Sequence, residues 1–222
     1  MKTLKDLTSW LNEEFQEPGT PTDDDDEIRD YGKFSIEELH KRTELLDIIN
    51  YVNGTLGQAI GGGVARKVWV IDEHQIIKVI NYEGEEWQNK NEVDNAWCLG
   101  EELAVKVLDN HENFFWIIEE RLKVLGEEET LRIIAEKLGF KLKNWRQLRT
   151  FFKKSVDWIN NGDEGFSPSD LMAFKTIYKR SEWYQSLIGG LSTCEVKSSD
   201  FHDENWGYRE STGQLVLLDL GF

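Results

Sequence analysis

Cysteine is nearly absent from this 222-residue chain. Its two examples, Cys98 and Cys194, stand in no C-x-x-C or other metal-ligand spacing, which excludes a zinc or iron–sulfur framework and predicts buried thiols in a reducing compartment. Long apolar runs are missing too, and the first residues hold no secretory hydrophobic segment, so a cytoplasmic setting without membrane attachment is expected. The run Asp23-Asp-Asp-Asp26 lacks the glycine and the ligand alternation of a calcium-binding loop, which excludes that site. Basic residues are scarce. With 26 Lys and Arg against 42 Asp and Glu, the net charge of −16 argues against a nucleic-acid backbone as partner and makes a basic protein partner easier to accommodate.

Apolar residues make up 39% of the chain and nine are tryptophan, enough to bury a sizeable core in a unit of this length. Leu4, Leu7, Leu11 and Phe15 form a helical stripe that needs a partner surface. Residues 23–27, preceded by Pro18-Gly-Thr-Pro21, read as a solvated acidic linker, with a docking or DNA-mimicking surface as the sharper alternative. Ser35-Ile-Glu-Glu38 looks like a capping box that opens a helix reaching about Tyr51. These helices are expected to pack on the sheet that follows or to mediate self-association.

The middle of the chain carries a sequence of small signals. Gly61-Gly-Gly63-Val-Ala-Arg66-Lys-Val68 follows the pattern G-x-G-x-x-G-x-V at its first, second and last fixed positions, with Arg66 where the third glycine would stand. Glycines there let backbone amides approach phosphates closely. Residues 67–71 and 75–80 read as a β-hairpin, and Ile76-Ile-Lys78-Val79 puts a lysine inside its second strand. A helix that carries Glu85 and Glu92 is expected over 85–98. Strands over 103–108 and 114–118 follow, the second running into Glu119-Glu-Arg121-Leu122. Three helices are expected next, over 127–138, 144–160 and 169–187; Trp145, Leu148, Phe152 and Ile159 mark the second as core, and Gly189-Gly190 lies beyond the third.

Near the end stands Asp200-Phe-His202-Asp-Glu-Asn205, then two short strands around Glu210-Ser-Thr-Gly213, then Asp219-Leu-Gly221. Such a hairpin would return Asp219 beside Asn205 and bring together two oxygen ligands for a hard cation. In this order the motifs resemble the protein kinase-like superfamily over about residues 50–222, in an atypical, truncated form. Asp-x-His-x-x-Asn is similar to the catalytic loops of aminoglycoside and choline phosphotransferases and of small phage-encoded kinases.

The resemblance implies an α+β fold of two lobes, with an antiparallel sheet in the first and a reduced, mainly helical second. It divides the chain into an extension (1–52), a first lobe with hinge (53–122) and a second lobe (123–222). It further implies ATP and Mg²⁺ as cofactors. Gly61, Gly62, Gly63, Arg66 and Val68 would cover the nucleotide, Lys78 held by Glu92, with Glu85 as the fallback partner, would orient its phosphates, and Glu119 and Arg121 would lie at the hinge against it. Asn205 and Asp219 would hold the metal, Asp200 would accept the proton of the attacking hydroxyl, and His202 would contact the γ-phosphate. A protein Ser/Thr hydroxyl is the expected acceptor, with a small-molecule kinase and a catalytically weak or inactive binding protein as alternatives. Two departures bear on this. Ser198-Ser199 replaces the His-Arg pair before the catalytic Asp, which removes the usual link to a phosphorylated activation loop, and only Phe222 follows Asp219-Leu-Gly221.

Overall fold

The computed structural model describes residues 32–194, 196, 201 and 205–221. Asp200 and His202 therefore lie outside the described residues, as do the stripe from Leu4 to Phe15 and the acidic run. The described part has two hydrophobic cores, one on a five-stranded sheet and one among helices.

The sheet half begins with helices α1 (Ile36–His40) and α2 (Leu45–Leu56). Ser35 caps α1 by accepting from the Glu38 N–H, as the capping box predicts, but the expected single helix to Tyr51 is broken where the Arg42 N–H closes a tight turn onto the Leu39 carbonyl. Strands β1 (Gly61–Gly62), β2 (Arg66–Val70), β3 (Gln75–Ile80), β4 (Val107–Asn110) and β5 (Trp116–Glu120) form one sheet in the order β1-β2-β3-β5-β4, antiparallel at every pairing. Helix α3 (Glu86–Leu99) lies between β3 and β4 in the chain and contacts both β3 and β5. The strand expected over 114–118 starts two residues late because Phe114 takes a left-handed conformation (φ 58°) that closes the turn onto the His111 carbonyl. The strand expected over 103–108 likewise moves on to Val107–Asn110, since Leu103 and Val105 spend their backbone bonds on Leu217 of the other half.

Successive side chains on a strand point to opposite faces, and here the two faces differ in kind. Trp69, Ile77, Val79, Trp116 and Ile118 point outward and are buried under Leu39, Leu45, Ile48, Tyr51 and Val52 of α1 and α2. Arg66, Lys78 and Glu119 belong to the opposite face, the one toward α3.

The helical half contains α4 (Glu127–Leu138), α5 (Trp145–Asn161), α6 (Pro168–Arg180) and α7 (Glu182–Thr193). A small antiparallel sheet is made by β6 (Lys123–Val124), β7 (Trp206–Arg209) and β8 (Gln214–Leu217). Helices α4 and α5 match their expected spans. The third does not: it is two helices that meet at Ser181, whose extended backbone ends α6 and whose hydroxyl caps α7 through the Tyr184 N–H at 3.1 Å. Gly189 and Gly190 lie inside α7 rather than beyond it, because a Cβ on Gly190 would meet the Leu99 side chain at 2.6 Å where α3 crosses.

That crossing also corrects the reading of the cysteines. Cys98 near the end of α3 and Cys194 at the end of α7 have Cα atoms 5.7 Å apart and are joined in a disulfide across 96 residues. Neither is a free thiol. Their separation in sequence carries no trace of the helix packing that brings them together, which is why spacing alone missed the bond. Among the described residues, no helix is long and apolar enough to cross a membrane.

Candidate active site

The glycine-rich segment is a tight hairpin. Gly61 and Gly62 pair with Val68 and Lys67, and the Gly63 N–H donates to the Arg66 carbonyl at 2.9 Å. Gly62 is obligatory: its φ is +143°, and a Cβ would lie 2.4 Å from the Arg66 carbonyl oxygen. Asn81, directly after β3, ties the tip down by donating from its amide to the Gly63 and Val64 carbonyls at 3.1 and 2.6 Å. Gly61 and Gly63 are exposed beside it, and Val68 stands opposite Lys78 on the cleft face.

Beneath this hairpin lies a buried cluster of charge. Lys78 Nζ donates to Glu92 Oε1 at 2.5 Å, and Glu92 is fully buried on α3. This is the strand-lysine to helix-glutamate pair expected from sequence. Glu85 instead stands at the N-terminus of α3, its carboxylate accepting from the Tyr82 hydroxyl and the Gln88 side-chain amide. Arg66 joins the cluster from β2. Its guanidinium donates to Glu92, to Asn89 Oδ1 at 3.2 Å and to Asp219, so it faces inward instead of lying over the hairpin as a free charge. Glu119 approaches Lys78 from β5, with Oε2 2.9 Å from Nζ in an ion-pair contact whose angles are not those of a hydrogen bond.

These neighbours set the charge states. Burial pushes Glu92 up, but Lys78 and Arg66 together outweigh it and hold its carboxyl well below the usual range. Glu119 has the opposite fate: burial, reinforced by the negative Glu92, pushes it up to about 8 against the pull of Lys78. Burial lowers Lys78, yet Glu119 and Glu92 more than compensate and keep it charged. With Glu119 protonated at neutral pH, two cations face two carboxylates, and the cluster is neutral.

The hairpin brings the chain back opposite Asn205 at Leu218, one residue before Asp219. Strands β7 and β8 pair from Trp206 opposite Leu217 to Arg209 opposite Gln214, and the Leu218 N–H donates to the Asn205 carbonyl at 2.9 Å. Asn205 is buried, whereas the Asp219 side chain is about half exposed and its backbone is left-handed at φ 45°. Strain of that kind in a non-glycine residue persists where the surroundings enforce it. They do so here: the Leu220 carbonyl accepts from Asn95 of α3 at 2.8 Å, and a Cβ on Gly221 would come within 2.6 Å of the Gln88 carbonyl. An amide and a carboxylate offer hard oxygen ligands, the set by which Mg²⁺ is held when phosphates and water complete its shell. Among the described residues, no group of three or more His, Cys, Asp or Glu is placed to hold a metal ion.

No family model and no curated protein matches the chain. Solved structures do align with it at low similarity. SAICAR synthase from Saccharomyces cerevisiae complexed with SAICAR is 11% identical over 73% of this chain and 72% of that one, with a TM-score of 0.32. The streptomycin–ATP–APH(2″)-IIa ternary complex is 14% identical over 79% and 69%, with a TM-score of 0.35.

Arg121 is not brought to the cluster. Its N–H donates to the His74 carbonyl and its guanidinium reaches the Asp72 carbonyl at 3.3 Å, so it braces the β2–β3 turn. Glu119 reaches the site as a partner of Lys78, a role its position next to the expected hinge did not suggest. Sequence reasoning also missed Asn81 and Asn89. For Asn89 a signal existed, since it lies three residues before Glu92 and so on a neighbouring face of the same helix.

Proposed function

We propose that the chain is an ATP- and Mg²⁺-dependent phosphotransferase of kinase-like design that transfers the γ-phosphate to a hydroxyl, with a Ser or Thr of a protein as acceptor. The observation that carries this is the buried Lys78–Glu92 pair under a glycine hairpin, on the same side of α3 as the Asn205–Asp219 turn. Lys78 keeps its charge and a fixed position for phosphate oxygens, the exposed backbone of Gly61 to Gly63 leaves room for them, and Asn205 and Asp219 would hold Mg²⁺. That ion supplies charge neutralisation between the phosphates. Asp200, five residues before Asn205, takes the proton of the attacking hydroxyl. The chemistry asked of the protein is chiefly positioning and electrostatics.

A second reading has its own observation. Both cations are already engaged, Lys78 by the Glu92 carboxylate with the Glu119 carboxyl beside it, Arg66 by Glu92 and Asp219, so phosphate has to compete with a carboxylate at each. This favours a weak or inactive relative that binds partners and transfers nothing. Transfer from γ-labelled ATP into the protein and into a lysate, beside Asp200→Ala, separates the readings. Label that appears with wild type and vanishes with the variant supports the enzyme. No label in either, with no thermal stabilisation by Mg-ATP, leaves the binding protein.

The enzyme reading places the protein in the cytoplasm, where ATP is plentiful. There the Cys98–Cys194 bond stands against the reducing poise of the compartment, and alkylation followed by mass measurement on freshly lysed cells reports which state it holds.

A further inference from the structure

The chain is acidic overall, yet its charge is unevenly placed. Residues 137–154 contain seven of the 26 Lys and Arg and none of the 42 Asp and Glu. They run from the end of α4 through most of α5, and Lys141, Lys143, Arg146, Arg149, Lys153 and Lys154 are all exposed. A like-charged stretch of this kind within one folded half is unfavourable by itself and is retained at low cost only where an opposite charge meets it.

Two clefts open on this surface. One, of about 570 Å³, runs between the end of α4 and α6 and has an apolar floor that includes Leu138, Phe140, Phe151 and Ile177, with Met172 at its edge. The other, of about 410 Å³, shares Phe140 and Phe151 and continues along α5 past Arg146 and Lys154. Met172 is 71% exposed, an unusual state for a large apolar side chain and a common one at adaptable binding surfaces. The carboxylates that line the clefts are already matched within the protein, Glu136 by Arg132 at 2.6 Å and Asp170 by Lys154 at 3.0 Å. Arg146 and Arg180, one in each cleft, make no ion pair with any described residue. The clefts thus combine an apolar floor with uncompensated positive walls.

We propose that this surface docks an acidic peptide segment of a protein partner, with apolar side chains seated on Phe140, Phe151 and Met172 and carboxylates met by Arg146 and Arg180. Charge complementarity selects the acidic partner, and the apolar floor selects a peptide over a nucleic acid. A long polyanion would also run beyond the basic stretch onto a surface that carries the rest of the chain's strong negative charge, which repels it. The inference does not rest on phosphoryl transfer and stands or falls separately from it.

The test is fluorescence anisotropy on the full chain with three labelled probes: a peptide with Leu or Phe at helical i, i+3, i+4 and i+7 positions and Glu elsewhere, the same peptide with Lys for Glu, and a single-stranded oligonucleotide of equal charge. The Glu peptide is expected to bind and the other two to bind far more weakly. The double variant Arg146→Glu/Arg180→Glu should weaken the Glu peptide by about tenfold or more, equivalent to ~1.4 kcal/mol. Met172→Glu should weaken it too, while Lys33→Glu, which reverses one charge on the sheet half and so adds more negative charge than Met172→Glu, should leave it unchanged. Unfolding temperatures of the variants near wild type show that these losses are local. Equal binding by wild type and the double variant, binding of the oligonucleotide in preference to the Glu peptide, or no binding of the Glu peptide would each overturn the proposal.

Discussion

The two faces of the five-stranded sheet are built from the same strands, residue by residue in alternation, and do opposite things. Outward, Trp69, Ile77, Val79, Trp116 and Ile118 form a dry contact with α1 and α2 that needs only volume and apolar surface. Inward, Arg66, Lys78 and Glu119 meet Glu92 and Asp219 in a cluster whose members are each costly to bury alone. The outer face accounts for why the sheet forms. The inner face has no such explanation, since well-packed apolar residues of similar size would serve stability as well or better. That is the physical ground for assigning function to it.

Perturbing each face in turn should separate the two. Lys78→Met leaves the buried Glu92 carboxylate with Arg66 as its remaining cation and is expected to cost about 3–5 kcal/mol, as is Trp69→Ala through the cavity it leaves. The distinguishing readout is the thermal shift with Mg-ATP, lost in Lys78→Met and retained in Trp69→Ala. Breaking the tie between α3 and α7 by Cys98→Ser should lower stability by about 2–4 kcal/mol in denaturant unfolding, the range for a disulfide that closes a long loop. Gly62→Ala should cost about 1–3 kcal/mol, because the residue is forced into a conformation an L side chain resists and against its own hairpin partner.

Glu119→Gln, which imitates the protonated acid, is the one change in this series expected to raise stability at neutral pH. Its signature lies in the pH dependence. The folded state holds the Glu119 proton up to about pH 8, while the unfolded chain releases it near 4.5. The folded state therefore binds more protons across that interval, and the stability from this group is complete below 4.5 and lost as pH rises through 8. Glu119→Gln should flatten that decline and exceed wild type in unfolding temperature by a margin that grows from about pH 4.5 to about pH 8 and is level above it. A decline of unchanged slope in the variant would show that Glu119 is not its source.

Much of this was legible in the sequence where local pattern and chemistry agree. The β2–β3 hairpin and the return of the chain to Asn205 just before Asp219 follow from short-range alternation plus one turn, and the Lys78–Glu92 pair from the order of motifs that resembles kinase-like chains. What was not legible depends on contacts between distant elements. Gly190 read as a helix terminator but serves the crossing of α3 and α7, and the Cys98–Cys194 bond is a product of that same crossing. Arg66 read as a substitute glycine with its charge directed to phosphate. Only the position of Asp219, 153 residues later, reveals the partner that turns it inward.

Helix α3 is fastened at four points along its length. Asn89 donates to the Phe114 carbonyl, Glu92 holds Lys78 and Arg66, Asn95 donates to the Leu220 carbonyl, and Cys98 is bonded to Cys194. The four are spaced three residues apart, so each step is turned by roughly 60° from the last and the series winds about half way around the helix. It begins facing the sheet and ends facing the helical half. A helix fastened along such a spiral has no axis about which it can roll or slide without straining several fastenings together. Regulation by graded displacement of this helix is therefore closed to the protein, and any device that moves Glu92 away from Lys78 must release the whole seam at once.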